Sequence, residues 1–82
     1  MANPSNELLD DTCWVYVQRD DQGIYTIGIT YDGEFRNRET AAGREVLLWR
    51  RFGDTLSAAG YRMILKQLPA AALEKELKKR NQ

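Results

Sequence analysis

Residues 13–30 read CWVYVQRDDQGIYTIGIT, and this stretch decides the fold. Its outer parts, 13–19 and 24–30, are rich in the β-branched and aromatic residues that favour strands. The residues between them, DDQG at 20–23, are typical of a turn. Along the second part, large apolar side chains alternate with threonine or glycine, as in a strand with one apolar face and one face open to a ligand or partner. The stretch therefore predicts an antiparallel β-hairpin.

The next part of the chain predicts a short helix and a third strand. Residues 34–42 have the composition of a polar helix, with Phe35 as its large apolar anchor. Residues 46–52, VLLWRRF, lie between two glycines and are too few for a typical helix. We expect this run to form a third strand of the same sheet.

Two further helices are predicted in the last third of the chain. The first covers 55–68 with Asp54 as its N-cap. Pro69 interrupts it and is well placed to begin a second helix, which runs to about Lys79. The apolar positions of helix 55–68 follow helical spacing and comprise Leu56, Ala59, Met63 and Ile64, flanked by Tyr61, Leu65 and Leu68.

These elements define the expected fold class. It is α/β, of the α+β kind, with a three-stranded antiparallel sheet flanked by helices in the order β-β-α-β-α-α. With 82 residues there is room for one core. We expect a flexible leader over 1–12, which docks weakly through Leu8 and Leu9, and a single domain over 13–82.

The composition excludes several classes of function. The chain has one cysteine and no histidine, so an internal disulfide, a Cys/His zinc site and a histidine-based triad are excluded. Twelve basic residues balance twelve acidic ones, so no global field attracts a polyanion. No apolar run approaches the ~20 residues that span a bilayer. We expect a soluble, cytoplasmic protein without a membrane partner.

The zero net charge hides a division along the chain. Residues 1–35 hold seven acids and one base, a balance of −6, and residues 36–82 carry the opposite balance of +6. Either the two halves supply solvated faces that pair in the fold, or the basic half forms a local patch. The residues that would form such a patch are Arg36, Arg38, Arg44, Arg50, Arg51, Arg62 and Lys66.

Three short motifs in the hairpin region resemble the GIY-YIG nuclease superfamily. W-V-Y at 14–16 is followed by T-I-G at 26–28 and by an arginine about one helical turn later. The segment IGITYDGEFR at 27–36 is especially similar to a subgroup of small single-domain members that read K-I-G-x-T-x-D-x-x-x-R. The order of elements also agrees, and the resemblance covers roughly residues 13–68.

The resemblance implies a set of site residues. Tyr16 would be the tyrosine that positions or deprotonates the attacking water, and Thr26 falls where many relatives have a second tyrosine. Gly28 would be the motif glycine that permits close approach of the backbone. Arg36 would contact the scissile phosphate through its planar, permanently charged fork. Arg38 would fill the same role if the register of the helix differs by two residues from the one that places Arg36 there.

The resemblance also implies a damaged metal site. In the family, a glutamate of the helix at 55–68 holds Mg²⁺ or Mn²⁺, and Arg62 occupies that position here. Arginine offers no oxygen ligand to a hard cation, although it can contact a phosphate. The nearby acids Glu34, Glu39 and Asp54 are the available replacements, and we assign none of them as a metal ligand. The motifs typical of the family's fold are therefore better preserved in this sequence than the residues typical of its catalytic site.

Each of these residues also has a purely structural interpretation. Tyr16 is explained as a strand aromatic that packs on the sheet, Thr26 as a good strand former, and Gly28 as a relief of crowding. Arg36 and Arg38 are explained as a solvated helix face, and Arg62 likewise. Aromatic side chains are expected in the core of so small a domain, namely Trp14, Trp49 and Phe52.

The residues and motifs together support two functions. The first is a GIY-YIG-like domain that resembles divalent-metal-dependent DNA endonucleases, retains nucleic-acid binding and has weak or lost phosphodiester hydrolysis. The alternative is a non-catalytic protein–protein interaction module on the same fold. The acidic hairpin favours a protein partner, whereas the arginines favour phosphate.

Overall fold

A computed structural model describes residues 12–80, except for the side chain of Arg80. The expected fold class and element order are confirmed. The predicted leader lies, apart from Thr12, outside the described residues. The elements are β1 (Cys13–Arg19), β2 (Tyr25–Thr30), α1 (Phe35–Ala41), β3 (Glu45–Phe52), α2 (Thr55–Gln67) and α3 (Ala70–Arg80).

β1 is the central strand of the sheet. The strand order is β2-β1-β3, and β1 pairs antiparallel with both neighbours. The register places Tyr16 opposite Gly28 on one side and opposite Trp49 on the other. Because successive side chains of a strand point to opposite faces, this register fixes which residues share a surface.

One face of the sheet carries the hydrophobic core. Cys13, Val15 and Val17 of β1 are fully buried there. α2 and α3 cover this face, and their leucines and one alanine complete the cluster. The residues that join the β1 side chains are Leu48, Ala58, Leu65, Leu73 and Leu77.

A β-bulge adjusts the third strand to this core. The register between β1 and β3 shifts at Val17/Gln18, so Leu47 has no direct partner on β1. Leu48 is buried, and Leu47 packs against the core as well. The extra residue lets two neighbouring leucines contribute to the core, where regular alternation would allow only one.

The ends of α2 follow the sequence signals. The Asp54 carboxylate accepts a hydrogen bond from the Ser57 backbone N–H at 2.7 Å, which confirms the predicted N-cap. The helix ends at Gln67, and Leu68 is extended before Pro69 as proline demands. Among the described residues, no helix is both long and apolar enough to cross a membrane.

The buried face of α2 differs from the apolar positions that the sequence emphasised. Ala58 and Leu65 are the buried residues of the helix. Leu56, Met63 and Ile64 instead lie on its solvent side, with exposures of 84%, 59% and 59%. The sequence pattern contained two apolar stripes, and the smaller Ala58 lies on the one that packs against the sheet.

Candidate functional site

Among the described residues, α1 is the helix that covers the face of the sheet opposite the core, and we call this face the α1 side. It carries four half-buried rings, which we call the aromatic cluster: Trp14, Tyr16, Phe35 and Trp49. Trp14 and Trp49 are stacked, with centroids 5.4 Å apart and planes 14° from parallel. Phe35 lies 6.2 Å from Trp49 and 4.5 Å from Tyr16.

This arrangement corrects the expectation that both tryptophans lie in the core. Trp14 and Trp49 are only half-buried, and neither belongs to the buried cluster. Phe52 does pack against the core, as expected. The physical reason is alternation, since Trp14 is adjacent to the buried Cys13 and Val15 and so must point to the other face.

Two glycines make room for rings of the aromatic cluster. A Cβ at Gly28 would lie 2.6 Å from the Tyr16 hydroxyl oxygen, so the Tyr16 ring lies against the β2 backbone at this point. A Cβ at Gly33 would lie 3.1 Å from the Trp14 ring. The close approach that the motif suggested for Gly28 is therefore made by the Tyr16 side chain.

Two arginines on the α1 side have no ion-pair partner in the part of the chain that the structure describes. Arg51 lies opposite Trp14 in the β1–β3 register and is exposed. Arg36 follows Phe35 on α1 and is also exposed. Within residues 12–80, neither side chain makes an ion pair or hydrogen bond. Both can therefore receive an external anion without first breaking an internal pair.

The other two arginines near α1 are already engaged. Arg38 pairs with Asp32, and its hydrogen bond holds the pKa of that carboxyl below its ordinary value. The same contact raises the pKa of Arg38. Arg44 pairs with Glu39 at 3.3 Å, and Glu39 also accepts a 2.7 Å hydrogen bond from Gln18 Nε2.

The remaining basic candidates lie on the core side of the sheet. Arg50 alternates with Arg51 along β3 and places its guanidinium 5.1 Å from the Phe52 ring centre and 4.8 Å from that of Tyr61. Arg62 and Lys66 belong to α2, which packs on the same side. The seven basic residues of the predicted patch are thus divided between two surfaces.

The structure brings some predicted site residues together and separates one of them. Tyr16 and Gly28 are directly opposed, and Thr26 shares their face of β2. Arg36 lies on the same side, next to Phe35, which contacts Tyr16. Arg62 belongs to the helix beyond the opposite face, so the sheet lies between it and Tyr16.

Thr26 also borders a shallow polar cavity of about 460 Å³ at the hairpin end of the sheet. Its walls carry both signs of charge from Arg19, Asp20 and Arg44. Arg19 is held by Glu45 at 2.9 Å and Arg44 by Glu39 at 3.3 Å, so both basic groups of the cavity already have partners. It offers less unpaired positive charge than the surface around Arg51.

The available carboxylates do not fit a divalent cation near Tyr16. Glu39 is held by Gln18 and Arg44, and Asp54 is committed to capping α2. Glu34 accepts a 3.1 Å hydrogen bond from Asn37. Across residues 12–80, no three side chains of metal-binding type are grouped. We therefore derive no chemical step through Mg²⁺ or Mn²⁺.

Sequence reasoning missed the stacked tryptophans as a surface feature. The signal was present, because the alternation in β1 places Trp14 and Tyr16 on the face that Cys13, Val15 and Val17 avoid. The pairing of Trp49 with Tyr16 depends on strand order and register, which local sequence does not give.

Comparison with known proteins adds no relative. No protein-family model, curated protein or solved structure matches this chain. The resemblance to GIY-YIG nucleases stays a prediction from the motif residues around Tyr16, Gly28 and Arg36.

Proposed function

We propose that this chain binds nucleic acid through the α1 side of its sheet, as a GIY-YIG-like domain with weak or lost phosphodiester hydrolysis. The observation that carries the proposal is the unpaired Arg51 beside the stacked rings of Trp14 and Trp49. Bases can stack on aromatic rings of this kind, and a neighbouring guanidinium can donate two parallel hydrogen bonds to a phosphate.

The second free arginine extends this surface toward the motif residues. Arg36 is adjacent to Phe35, whose ring contacts Tyr16. A backbone phosphate near Arg36 and a base on the tryptophans would occupy the same side of the sheet. DNA is the favoured nucleic acid because of the family resemblance alone.

We expect weak or lost hydrolysis because a metal-binding carboxylate is missing. According to the family resemblance, Arg62 occupies the position of the metal-binding glutamate. The candidate replacement acids Glu34, Glu39 and Asp54 already accept hydrogen bonds from other residues. Electrostatic stabilisation of a scissile phosphate by Arg36 alone leaves the attacking water without activation by a metal ion. We expect plasmid and branched DNA to remain uncut with Mg²⁺ or Mn²⁺.

The test of binding compares two adjacent arginines, Arg50 and Arg51, whose side chains lie on opposite faces of the sheet. Fluorescence anisotropy of labelled single-stranded, duplex and branched DNA is measured across a salt series for wild type, Arg51→Ala and Arg50→Ala. Arg51→Ala should weaken binding and lower the salt slope by about one, as expected for one lost phosphate contact. Arg50→Ala is the matched control, since it removes the same charge from the core side, and it should bind like wild type.

Three results would contradict the proposal. Absence of salt-dependent binding to all three DNA forms would favour the protein-interaction alternative. Equal losses in the two variants, both still folded by circular dichroism, would show a nonspecific charge effect. Metal-dependent nicking by the wild type that Tyr16→Phe or Arg36→Ala abolishes would restore an active nuclease.

A further inference from the structure

The aromatic cluster keeps ring surface open to solvent, although its members touch one another. Trp14 and Trp49 have centroids 5.4 Å apart and nearly parallel planes. The planes of stacked rings lie about 3.5 Å apart, so the two indoles are offset sideways by roughly 4 Å. Both residues are half-buried, and part of each ring stays accessible within residues 12–80. The α1 side therefore offers flat apolar surface on which another ring can lie.

The charge around the cluster is nearly balanced. Arg36 and Arg51 have no ion-pair partner among the described residues, whereas Arg38 and Arg44 are each paired with a carboxylate. Glu34, the residue before α1, adds a negative charge to the same region. The surface thus offers two positive groups to phosphate. A strongly salt-dependent duplex binder makes on the order of six to ten phosphate contacts.

The helix on this side is poorly suited to a duplex groove. α1 has 7 residues and begins at Phe35, whose ring packs on Tyr16 and Trp49. The helix is about 10 Å long and is held against the sheet by this contact. A major groove about 12 Å wide admits a helix that projects from its protein, and α1 does not project in this way.

The amide side chains near α1 are engaged within the protein. Gln18 Nε2 donates to Glu39 at 2.7 Å, and Asn37 Nδ2 donates to Glu34 at 3.1 Å. Amides of this kind recognise adenine by two parallel hydrogen bonds to the base edge. Because both amides already have partners, we expect this surface to discriminate little between base sequences.

We propose that the α1 side selects single-stranded nucleic acid over duplex and tolerates different base sequences. This selectivity rests on the nucleic-acid binding proposed above, and it names the form of nucleic acid that the surface takes. In a duplex the faces of the bases are covered by their neighbours, whereas a single strand can lay its bases on exposed rings. Stacking on Trp14 and Trp49 then supplies most of the affinity. Arg36 and Arg51 contact the flanking phosphates.

Competition against a labelled strand tests the selectivity. Wild-type protein is bound to a labelled oligothymidylate of about 20 nucleotides and challenged with unlabelled oligothymidylate, oligouridylate or a mixed-sequence duplex of the same length. Both single strands should displace the probe at concentrations at least about tenfold lower than the duplex requires. The stronger of the two single strands identifies DNA or RNA as the preferred ligand. Equal or better competition by the duplex would overturn the proposal.

A single strand of mixed sequence tests the tolerance for base sequence in the same assay. It should compete within about tenfold of oligothymidylate, because stacking uses the face that every base possesses. A larger difference between the two single strands would contradict the sequence tolerance.

Two ring variants separate stacking from charge. Trp14→Leu removes ring surface from the α1 side without changing the charge, so it should weaken single-strand binding by about tenfold and leave the salt slope unchanged. Phe52→Leu removes a ring that packs against the core on the other face, and it is the matched control. It should bind like wild type while circular dichroism shows that it is folded. A folded Trp14→Leu variant with wild-type affinity would overturn the proposal.

The salt dependence of the wild type gives a test that needs no variant. Two phosphate contacts to a single strand predict a slope of about −1.4 for log K against log salt, since each contact contributes about −0.7. A slope steeper than about −4 would mean that many phosphate contacts dominate the affinity, and it would overturn the proposal.

The proposed function and this selectivity fail separately. Salt-dependent binding that Arg51→Ala weakens, but that is equally tight for duplex and single strand, would retain nucleic-acid binding and remove the selectivity. Absence of binding to every form of nucleic acid would remove both.

Discussion

Tyr16 and Gly28 are direct partners on adjacent strands, and the tyrosine ring occupies the space where a side chain at position 28 would lie. A Cβ there would come within 2.6 Å of the hydroxyl oxygen and 2.8 Å of Cζ. The ring is rigid and is also packed against Phe35, with centroids 4.5 Å apart. Glycine at 28 is therefore a packing requirement of Tyr16.

Gly28→Ala should destabilise the domain by about 1–3 kcal/mol, because the new methyl group displaces the Tyr16 ring from its contact with Phe35. Urea unfolding measures the loss. Gly53→Ala is the control, since a Cβ at Gly53 meets nothing within 4 Å. In the Tyr16→Ala background the same Gly28→Ala change should cost much less, and an equal cost in both backgrounds would refute the packing explanation.

The Asp32–Arg38 pair should show itself in the titration of Asp32. The Arg38 hydrogen bond lowers the pKa of the carboxyl in the folded state. A depressed folded pKa means that the pair stabilises the fold above the unfolded pKa of about 4 and that this contribution is lost as pH falls through the folded value. Carboxyl NMR should find the Asp32 midpoint below that of an ordinary aspartate, and Arg38→Gln should raise it. An unchanged midpoint in the variant would contradict this assignment.

The Asp54 cap is expected to contribute about 1 kcal/mol to the free energy of unfolding. Its carboxylate accepts from the Ser57 N–H at 2.7 Å and from the Ser57 hydroxyl at 3.0 Å. Asp54→Ala removes both bonds, whereas Asp54→Asn keeps a capping oxygen. Thermal unfolding should separate the two variants, and equal melting temperatures would show that the cap contributes nothing.

The two faces of α2 should respond differently to truncation. Leu65 is 1% exposed and lies in the core, so Leu65→Ala should cost about 2–5 kcal/mol. Leu56 is 84% exposed, so Leu56→Ala should change stability by less than about 0.5 kcal/mol when measured in dilute solution. The reverse ranking would mean that α2 packs through its other stripe.

Local patterns predicted the elements because the signals were local. The β-branched and aromatic residues of β1, the alternation in β2, the DDQG turn, the Asp54 cap and Pro69 each act within a few residues, and all five correspond to observed features. The buried face of α2 was not predictable in this way. The helix carries apolar residues on more than one side, and the packing of Ala58 and Leu65 against the sheet decides which side is buried.

The candidate site was less predictable because it depends on register. The sequence placed Tyr16, Gly28 and Arg36 in the hairpin and the first helix, but the stack of Trp14 on Trp49 requires the β1–β3 pairing. The bulge at Val17/Gln18 also left no sequence signal that we recognised. Alternation along β3 puts Arg50 and Arg51 on opposite faces of the sheet, and the pairing with β1 decides which face each of them takes.

The most direct test of the nucleic-acid interface uses the intrinsic fluorescence of the protein. Both tryptophans of the chain lie in the aromatic cluster, so their emission reports on the α1 side alone. Titration with unlabelled single-stranded DNA should quench this emission to saturation, salt should reverse the quenching, and Arg51→Ala should require more DNA. DNA binding that is seen by anisotropy but leaves tryptophan emission unchanged would contradict the proposal that bases stack on this side of the sheet.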